Sequence, residues 1–225
     1  MVGAICAQDV LFHPFVTIRA FGWRIFFRAV FESHGETFLS LLQRDGFFAA
    51  PAPSKEPELI ERCVWLEVQS ATIYRTLAER FSSSSPFSAF LDELADEEQE
   101  HADLLRVCKA FATKGRFQSS RFAPWHDYAP LLEQQMQAAI ASLDKIKTLD
   151  DVVRLILEIE SSEINCVFLG VVDATDSPFV RNLGPFRRAV RQHISYICQK
   201  ISALTPSAAA ACRKLHDKFQ GSLAL

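Results

Sequence analysis

The sequence lacks the features that mark several common kinds of protein. Its six cysteines lie at least fourteen residues apart, so no CxxC pair exists, and zinc-ribbon, rubredoxin-type and thioredoxin-type sites are all excluded. Only 8 glycines and 10 prolines occur among 225 residues, which excludes collagen-like and low-complexity chains. The formal net charge of −3 gives no broad electrostatic attraction for phosphates, so we expect no nucleic-acid partner.

We also expect neither a targeting segment nor a membrane-spanning one. No basic region followed by an apolar run and a small-residue cleavage site opens the chain, so we predict no secretory signal. The Phe-rich stretch 10–31 is interrupted by Arg19, Arg24 and Arg28, which argues against a transmembrane helix. The scattered, unpaired cysteines indicate a reducing compartment, and we predict a cytoplasmic protein.

The composition changes along the chain. Nine of the 19 phenylalanines lie in residues 1–50, and the Ala-Pro-rich stretch 49–55 follows as a linker. We therefore predict an aromatic-rich N-terminal helical extension over 1–50 and a helical bundle over 51–225. The extension can cover the outer surface of the bundle, form a subunit interface, or contact a membrane surface through residues 9–31, although its neutral charge weakens the last alternative.

Serine, proline and glycine divide the second part of the chain into helices. Four long helices are predicted, over residues 54–81, 86–113, 149–172 and 178–204 or 185–204. A long connection over 116–148 contains a helix of its own at 128–145, and a short helix follows Pro206 at the C-terminal end. No useful length of polar–apolar alternation predicts a strand. The pattern is typical of an all-α, four-helix bundle with one long crossover between its second and third helices.

Each long helix carries charged or imidazole groups in the middle of its apolar stripe. These groups are Glu67 on the first helix, Glu98 and His101 on the second, Glu160 and Glu163 on the third, and His193 on the fourth. A buried ionised carboxylate without a partner costs several kcal/mol, and pooled acids repel one another. A cation would offset both effects, and carboxylate with imidazole suits iron, manganese or zinc. The presence of such groups on the apolar stripes of all four helices predicts a metal site.

Each group taken singly has a simpler interpretation. A lone Glu on an apolar stripe is usually a boundary residue that reaches water, a lone Glu-x-x-His arises by chance, and His193 alone can be an ordinary core histidine. Arg187 lies on the flank of the fourth stripe, where it can pair with a core carboxylate in place of a metal. A metal-free scaffold therefore remains an alternative.

Three stretches of the bundle resemble the ferritin-like superfamily, and within it the rubrerythrin-related proteins. The resemblance covers about residues 56–204 and is carried by Glu67-Val-Gln-Ser-Ala-Thr-Ile-Tyr74, by the stretch 94–105 with Glu98 and His101, and by Leu157-Glu-Ile-Glu-Ser-Ser-Glu163. The family repeats Glu-x-x-His on its fourth helix, whereas this chain has Val190-Arg-Gln-His193. One expected carboxylate is thus missing, and a mononuclear or asymmetric site becomes plausible.

The resemblance implies a di-iron carboxylate chemistry, in which Fe(II) oxidation is coupled to reduction of peroxide or oxygen. It implies that Glu98 bridges two metals, that His101 and His193 each complete one of them, that Glu67 and Glu160 are further ligands, and that Glu163 is an adjustable one. Tyr74 is either a hydrogen-bond partner of a ligand or an ordinary core tyrosine. The Cys-rich electron-transfer domain of many rubrerythrins is absent, so redox turnover would need an external electron donor. We expect a homodimer.

Overall fold

The structure of the protein is a computed structural model that describes residues 55–113, 115, 117–118, 125–162, 164–177, 180 and 184–222. Within these ranges the chain is almost entirely helical, and the isolated bridge between Phe117 and Thr175 is the one strand-like pairing. The predicted all-α class is confirmed. The predicted extension over 1–50 lies outside the described residues, and so does its boundary with the bundle.

Seven α-helices make up the described part of the chain. They are α1 (Glu56–Arg80), α2 (Ser85–Ala112), α3 (Trp125–Ser142), α4 (Leu149–Glu160), α5 (Ile164–Ala174), α6 (Gly184–Leu204) and α7 (Ala209–Ser222). Short 3-10 turns, Leu143–Lys145 and Pro206–Ala208, follow α3 and precede α7. Helices α1, α2, α3 and α6 match the predicted positions to within a few residues.

Local signals in the sequence explain several helix ends. Thr148 caps α4 through a reciprocal pair of bonds, in which the Asp151 amide donates to Thr148 Oγ1 at 3.2 Å and the Thr148 amide donates to Asp151 Oδ2 at 3.0 Å. Gly115 adopts a positive φ of 71° just beyond α2, a conformation that glycine tolerates and other residues resist. Both the cap of α4 and the stop after α2 agree with the positions that these residues predict.

The prediction of one unbroken third helix from 149 to 172 is wrong, because the structure has two helices there. Helix α4 ends at Glu160 and α5 begins at Ile164. The Ser161 and Ser162 hydroxyls donate to the carbonyl oxygens of Glu158 and Ile159, at 3.1 Å and 2.6 Å. Such side-chain bonds to the backbone compete with the helical ladder. The break makes Glu160 the last residue of its helix.

Helices α1 and α2 form an antiparallel hairpin joined by residues 81–84. In the contacts between them, residue numbers increase along α1 as they decrease along α2. Glu61 accepts a hydrogen bond from Lys109 at 2.7 Å, and Asp96 accepts one from Arg75 at 3.5 Å. Residues later in α1 therefore face residues earlier in α2, and Glu67 lies opposite His101.

The other helices close around this hairpin. Helix α5 packs against both α1 and α2, and α6 packs against α2 and α7. Glu93 on α2 accepts a hydrogen bond from the Tyr196 hydroxyl on α6. Arg62 on α1 donates two hydrogen bonds to Glu133 on α3, at 2.5 Å and 2.7 Å, which tie α3 to the hairpin.

The core of the described helices is largely apolar. Leu77, Leu105, Ile156 and Ile197 have no exposed surface, and together with their neighbours they form one continuous cluster. No helix in the described ranges has the length and hydropathy needed to cross a membrane. Most of the buried charged side chains belong to a group of acids and histidines that the same helices enclose.

Candidate metal centre

Five of the predicted ligands lie together inside the bundle. They are Glu67 on α1, Glu98 and His101 on α2, Glu160 at the end of α4, and His193 on α6. Each is only 1–3% exposed, so none of these carboxylates is solvated by bulk water. Their burial follows from the apolar stripes on which the sequence places them. Burial of this many polar groups requires that they satisfy one another or share a cation.

The first group of donors consists of Glu67, Glu98 and His101, here called the Glu67 half. The His101 Nδ1 atom lies 3.0 Å from Glu98 Oε2 and 3.7 Å from Glu67 Oε2. The His101 ring also lies over Phe168 of α5, with 4.5 Å between the ring centroids. One ligand atom from each of the three residues falls within 4.8 Å of the others, so the half can hold a metal ion.

The second group consists of Glu98, Glu160 and His193, here called the Glu160 half. The His193 Nε2 atom lies 3.2 Å from Glu160 Oε2 and 3.4 Å from Glu98 Oε1. These ligand atoms also lie within 4.8 Å of one another. Because Glu98 turns Oε2 toward one half and Oε1 toward the other, it is shared by both. The two histidine rings are 5.6 Å apart, so the halves are adjacent.

Two side chains orient the ligands of the Glu160 half. The Tyr74 hydroxyl, fully buried, donates a hydrogen bond to Glu160 Oε1 at 2.7 Å. The Glu97 carboxylate accepts from His193 Nδ1 at 2.8 Å, which leaves Nε2 facing Glu98 and Glu160. A carboxylate on the far nitrogen of a histidine is a common support for a metal ligand. Tyr74 therefore contacts a candidate ligand, one of the two roles expected for it.

Glu97 contacts a candidate ligand of the centre although its position in the sequence does not predict this. Its neighbour Glu98 lies on the apolar stripe of α2, whereas Glu97 is about 100° away on the helical wheel, where the pattern predicts a surface residue. In the structure its side chain is 16% exposed and lies between the solvent and His193. The sequence feature that could have indicated this role is the second acidic residue directly before Glu98, four residues before His101.

Two buried donor atoms in the cluster make no hydrogen bond. Glu67 Oε2 has none, and His193 Nε2 has none although it lies between two carboxylate oxygens. Buried polar atoms without a hydrogen bond are rare because each has lost its hydration, and for His193 Nε2 the ion-pair contacts with Glu98 and Glu160 compensate only in part. Carboxylate oxygens with imidazole nitrogens are the donors that iron, manganese and zinc accept. The residues present thus fit a metal ion.

The cluster is strongly coupled electrostatically. Burial raises the pKa of Glu67 to about 8. Burial alone would also raise the pKa of Glu98, but His101 and His193 lower it well below its ordinary value. Burial alone would lower the pKa of both histidines, but the carboxylates raise that of His101 to about 10 and that of His193 well above its ordinary value. The raised pKa values favour the protonated imidazoles, whereas a metal ligand is the neutral imidazole, so metal binding has to displace protons.

Tyr74 keeps its proton throughout the physiological range. Burial raises its pKa well above the ordinary value, and the nearby Glu160 carboxylate raises it further. It therefore acts as a hydrogen-bond donor toward Glu160.

Three residues of the prediction lie outside what the structure describes. Glu163, the expected adjustable ligand, is one of them, and the side chains of Arg187 and Val190 on α6 are the others. The ligand role expected for Glu163 and the pairing of Arg187 with a core carboxylate both stay predictions.

No protein-family model, no curated protein and no solved structure matches this chain. The resemblance to rubrerythrin-related proteins accordingly stays a prediction, and the function of the chain has to be argued from the chemistry of the cluster itself.

Proposed function

We propose that this chain is a ferritin-like, rubrerythrin-like metal protein whose buried cluster binds iron. The observation that carries the proposal is the pair of donor groups, each of two carboxylates and one imidazole, that share Glu98. A chance cluster would not be expected to place three ligand atoms within 4.8 Å of one another twice in the same core. Manganese and zinc suit the same donors, so the proposal extends to them as alternatives.

Each residue has a definite part in this proposal. Glu67 and His101 would hold one ion, Glu160 and His193 the other, and Glu98 would contact both. Val190 stands where the family has a further glutamate, so the centre is poorer in carboxylate than the family pattern. This donor set is consistent with one bound ion or with two bound ions.

The proposed reaction is the reduction of peroxide or oxygen. When bound, two ferrous ions would supply the two electrons that, with two protons, convert one hydrogen peroxide to two water molecules. The protein's own part is to keep the ligand oxygens dry and oriented. Tyr74 holds one oxygen of Glu160 by its hydroxyl, and Glu97 holds the His193 ring with Nε2 inward. Reduction of the two iron ions back to the ferrous state would need an external electron donor.

Metal analysis of the purified protein tests the proposal. Full-length protein from iron-supplemented cells should contain about one to two metal ions per chain. The double variant Glu98→Gln, His101→Asn should contain none, because it removes the shared carboxylate and one imidazole. Glu93→Gln is the matched control, since Glu93 lies on the same helix with its side chain 47% exposed. Undetectable metal in the wild-type protein, with stability unchanged by chelator, would contradict the proposal.

A metal-free helical scaffold is the second candidate function. The observation that favours it is the set of contacts inside the cluster, because His101 lies 3.0 Å from Glu98, and His193 lies 3.4 Å from Glu98 and 3.2 Å from Glu160, so the imidazoles can pair with the carboxylates without a cation. Thermal unfolding separates the candidates. A scaffold should unfold at the same temperature with and without chelator, whereas a metal protein should be stabilised by its ion. The homodimer and the cytoplasmic location stay predictions under either candidate.

A further inference from the structure

The two halves of the centre are not equivalent. In the Glu160 half, two of the three ligands are oriented by a hydrogen bond from outside the donor set. Tyr74 donates to Glu160 Oε1 at 2.7 Å, and His193 Nδ1 donates to Glu97 Oε2 at 2.8 Å. Each bond uses the ligand atom that faces away from the centre, so Glu160 Oε2 and His193 Nε2 are held facing inward, 3.2 Å apart.

The Glu67 half lacks a corresponding support on its own carboxylate. Glu67 Oε2, the oxygen 3.7 Å from His101 Nδ1, makes no hydrogen bond, and no described hydrogen bond to the other oxygen orients the buried carboxylate. Ser70 lies one turn further along the same face of α1, and its buried hydroxyl is also without a hydrogen-bond partner. Both oxygens lie on α1, whose one candidate ligand, Glu67, belongs to the Glu67 half.

This difference has a consequence for metal affinity. A ligand already held in its binding orientation loses little conformational entropy when the ion arrives, whereas an unsupported ligand has to be ordered by the ion. Loss of an outer hydrogen-bond partner typically lowers metal affinity by about 10–100-fold. Glu160 has such a partner in Tyr74, whereas no described hydrogen bond orients Glu67, so the expected difference between the halves is of that order.

We propose, as a refinement that depends on the proposed metal function, that the Glu160 half binds its ion first and tightly, and that the Glu67 half binds a second, readily exchanged ion. Tyr74 and Glu97 are the positioning residues that set this order. The ion in the Glu160 half is then resident, and the ion in the Glu67 half is the one that is delivered and replaced.

Titration of metal-stripped, full-length protein with Mn(II) alone, without oxygen, tests the order of binding. Isothermal calorimetry should resolve two phases in the wild type, about tenfold or more apart in affinity. Glu67→Gln should keep the tight phase and lose the weak one. Glu97→Gln and Tyr74→Phe should each weaken the tight phase by about 10–100-fold. The electron paramagnetic resonance spectrum at one equivalent should be that of an isolated Mn(II) ion in the wild type.

Ser70→Ala is the matched control for a purely structural effect. It removes a fully buried hydroxyl from the same helix as Tyr74, but one that makes no hydrogen bond, so the tight phase should keep its wild-type affinity. Loss of the tight phase in Glu67→Gln, an unaltered tight phase in Glu97→Gln, or two indistinguishable wild-type phases would each overturn the order. Absence of any Mn(II) binding by the wild type would instead overturn the metal centre itself.

Discussion

Replacement of Tyr74 by phenylalanine tests whether the buried hydroxyl supports Glu160. Tyr74 has no exposed surface, and its hydroxyl donates to Glu160 Oε1 at 2.7 Å. The pKa of Tyr74 is raised well above its ordinary value by burial and by Glu160, so the group is a neutral donor at any pH near neutrality. Tyr74→Phe deletes one oxygen atom and leaves the ring, and therefore removes the hydrogen bond with little change in packing.

The size of the expected loss of stability follows from the fact that Tyr74 donates its hydrogen bond to a carboxylate. A hydrogen bond to a charged group contributes about 1.5–3 kcal/mol, and a buried carboxylate that loses it has no water to replace the donor. We expect Tyr74→Phe to lower the free energy of unfolding of the metal-free protein by about 2 kcal/mol. For a domain of this size that corresponds to a fall in Tm of about 4–8 °C.

Urea unfolding in the presence of chelator, followed by circular dichroism, measures the effect. Tyr128→Phe is the matched control, because Tyr128 is 47% exposed and its change should stay within about 0.5 kcal/mol. A double-mutant cycle with Glu160→Gln should give a coupling energy of the same sign and order as the single loss. Equal stabilities of the Tyr74 and Tyr128 variants, or no coupling to Glu160, would refute the proposed role of this bond.

Three further predictions concern stability. Because burial raises the pKa of Glu67 from 4.5 to about 8, the folded metal-free protein holds a proton there that the unfolded chain releases, and its stability should fall as pH rises from about 5. In urea unfolding, Glu67→Gln should remove the fall between about pH 5 and 6, where the histidines are protonated in both states, and should keep the fall at higher pH that the raised pKa values of His101 and His193 cause. A parallel pH profile in the variant would contradict it. Arg62 lowers the pKa of Glu133, so Arg62→Ala should cost about 0.5–1 kcal/mol at pH 7, and this difference should disappear as the pH falls below the lowered pKa of Glu133; a difference that stays undiminished to the most acidic pH at which the protein is folded would count against the pair. Gly170→Ala would place a Cβ 3.0 Å from Trp125 Nε1, so Tm should fall by an amount equivalent to about 1 kcal/mol, whereas an unchanged Tm would show that the indole moves aside.

Local patterns in the sequence were sufficient to predict the helices and the buried acids. The apolar stripes of α1, α2 and α6 repeat at helical spacing, and periodicity depends only on the chain's own geometry. The same wheels placed Glu67, Glu98 and His101 on inward faces, where the structure buries them. The capping of α4 by Thr148 was equally local, since the cap and its partner are three residues apart.

Tertiary packing decided how those groups meet. The wheel shows that Glu98 faces inward, but only the placement of α4 and α6 makes one of its oxygens face His101 and the other His193. Glu97 lies off the stripe of its own helix and becomes part of the centre because His193 reaches it from another helix. The break after Glu160 also escaped the pattern, because serine hydroxyls can bond to the backbone without disturbing the apolar period. Periodicity specifies which face of a helix is buried, whereas the partners on that face depend on contacts between residues distant in the chain.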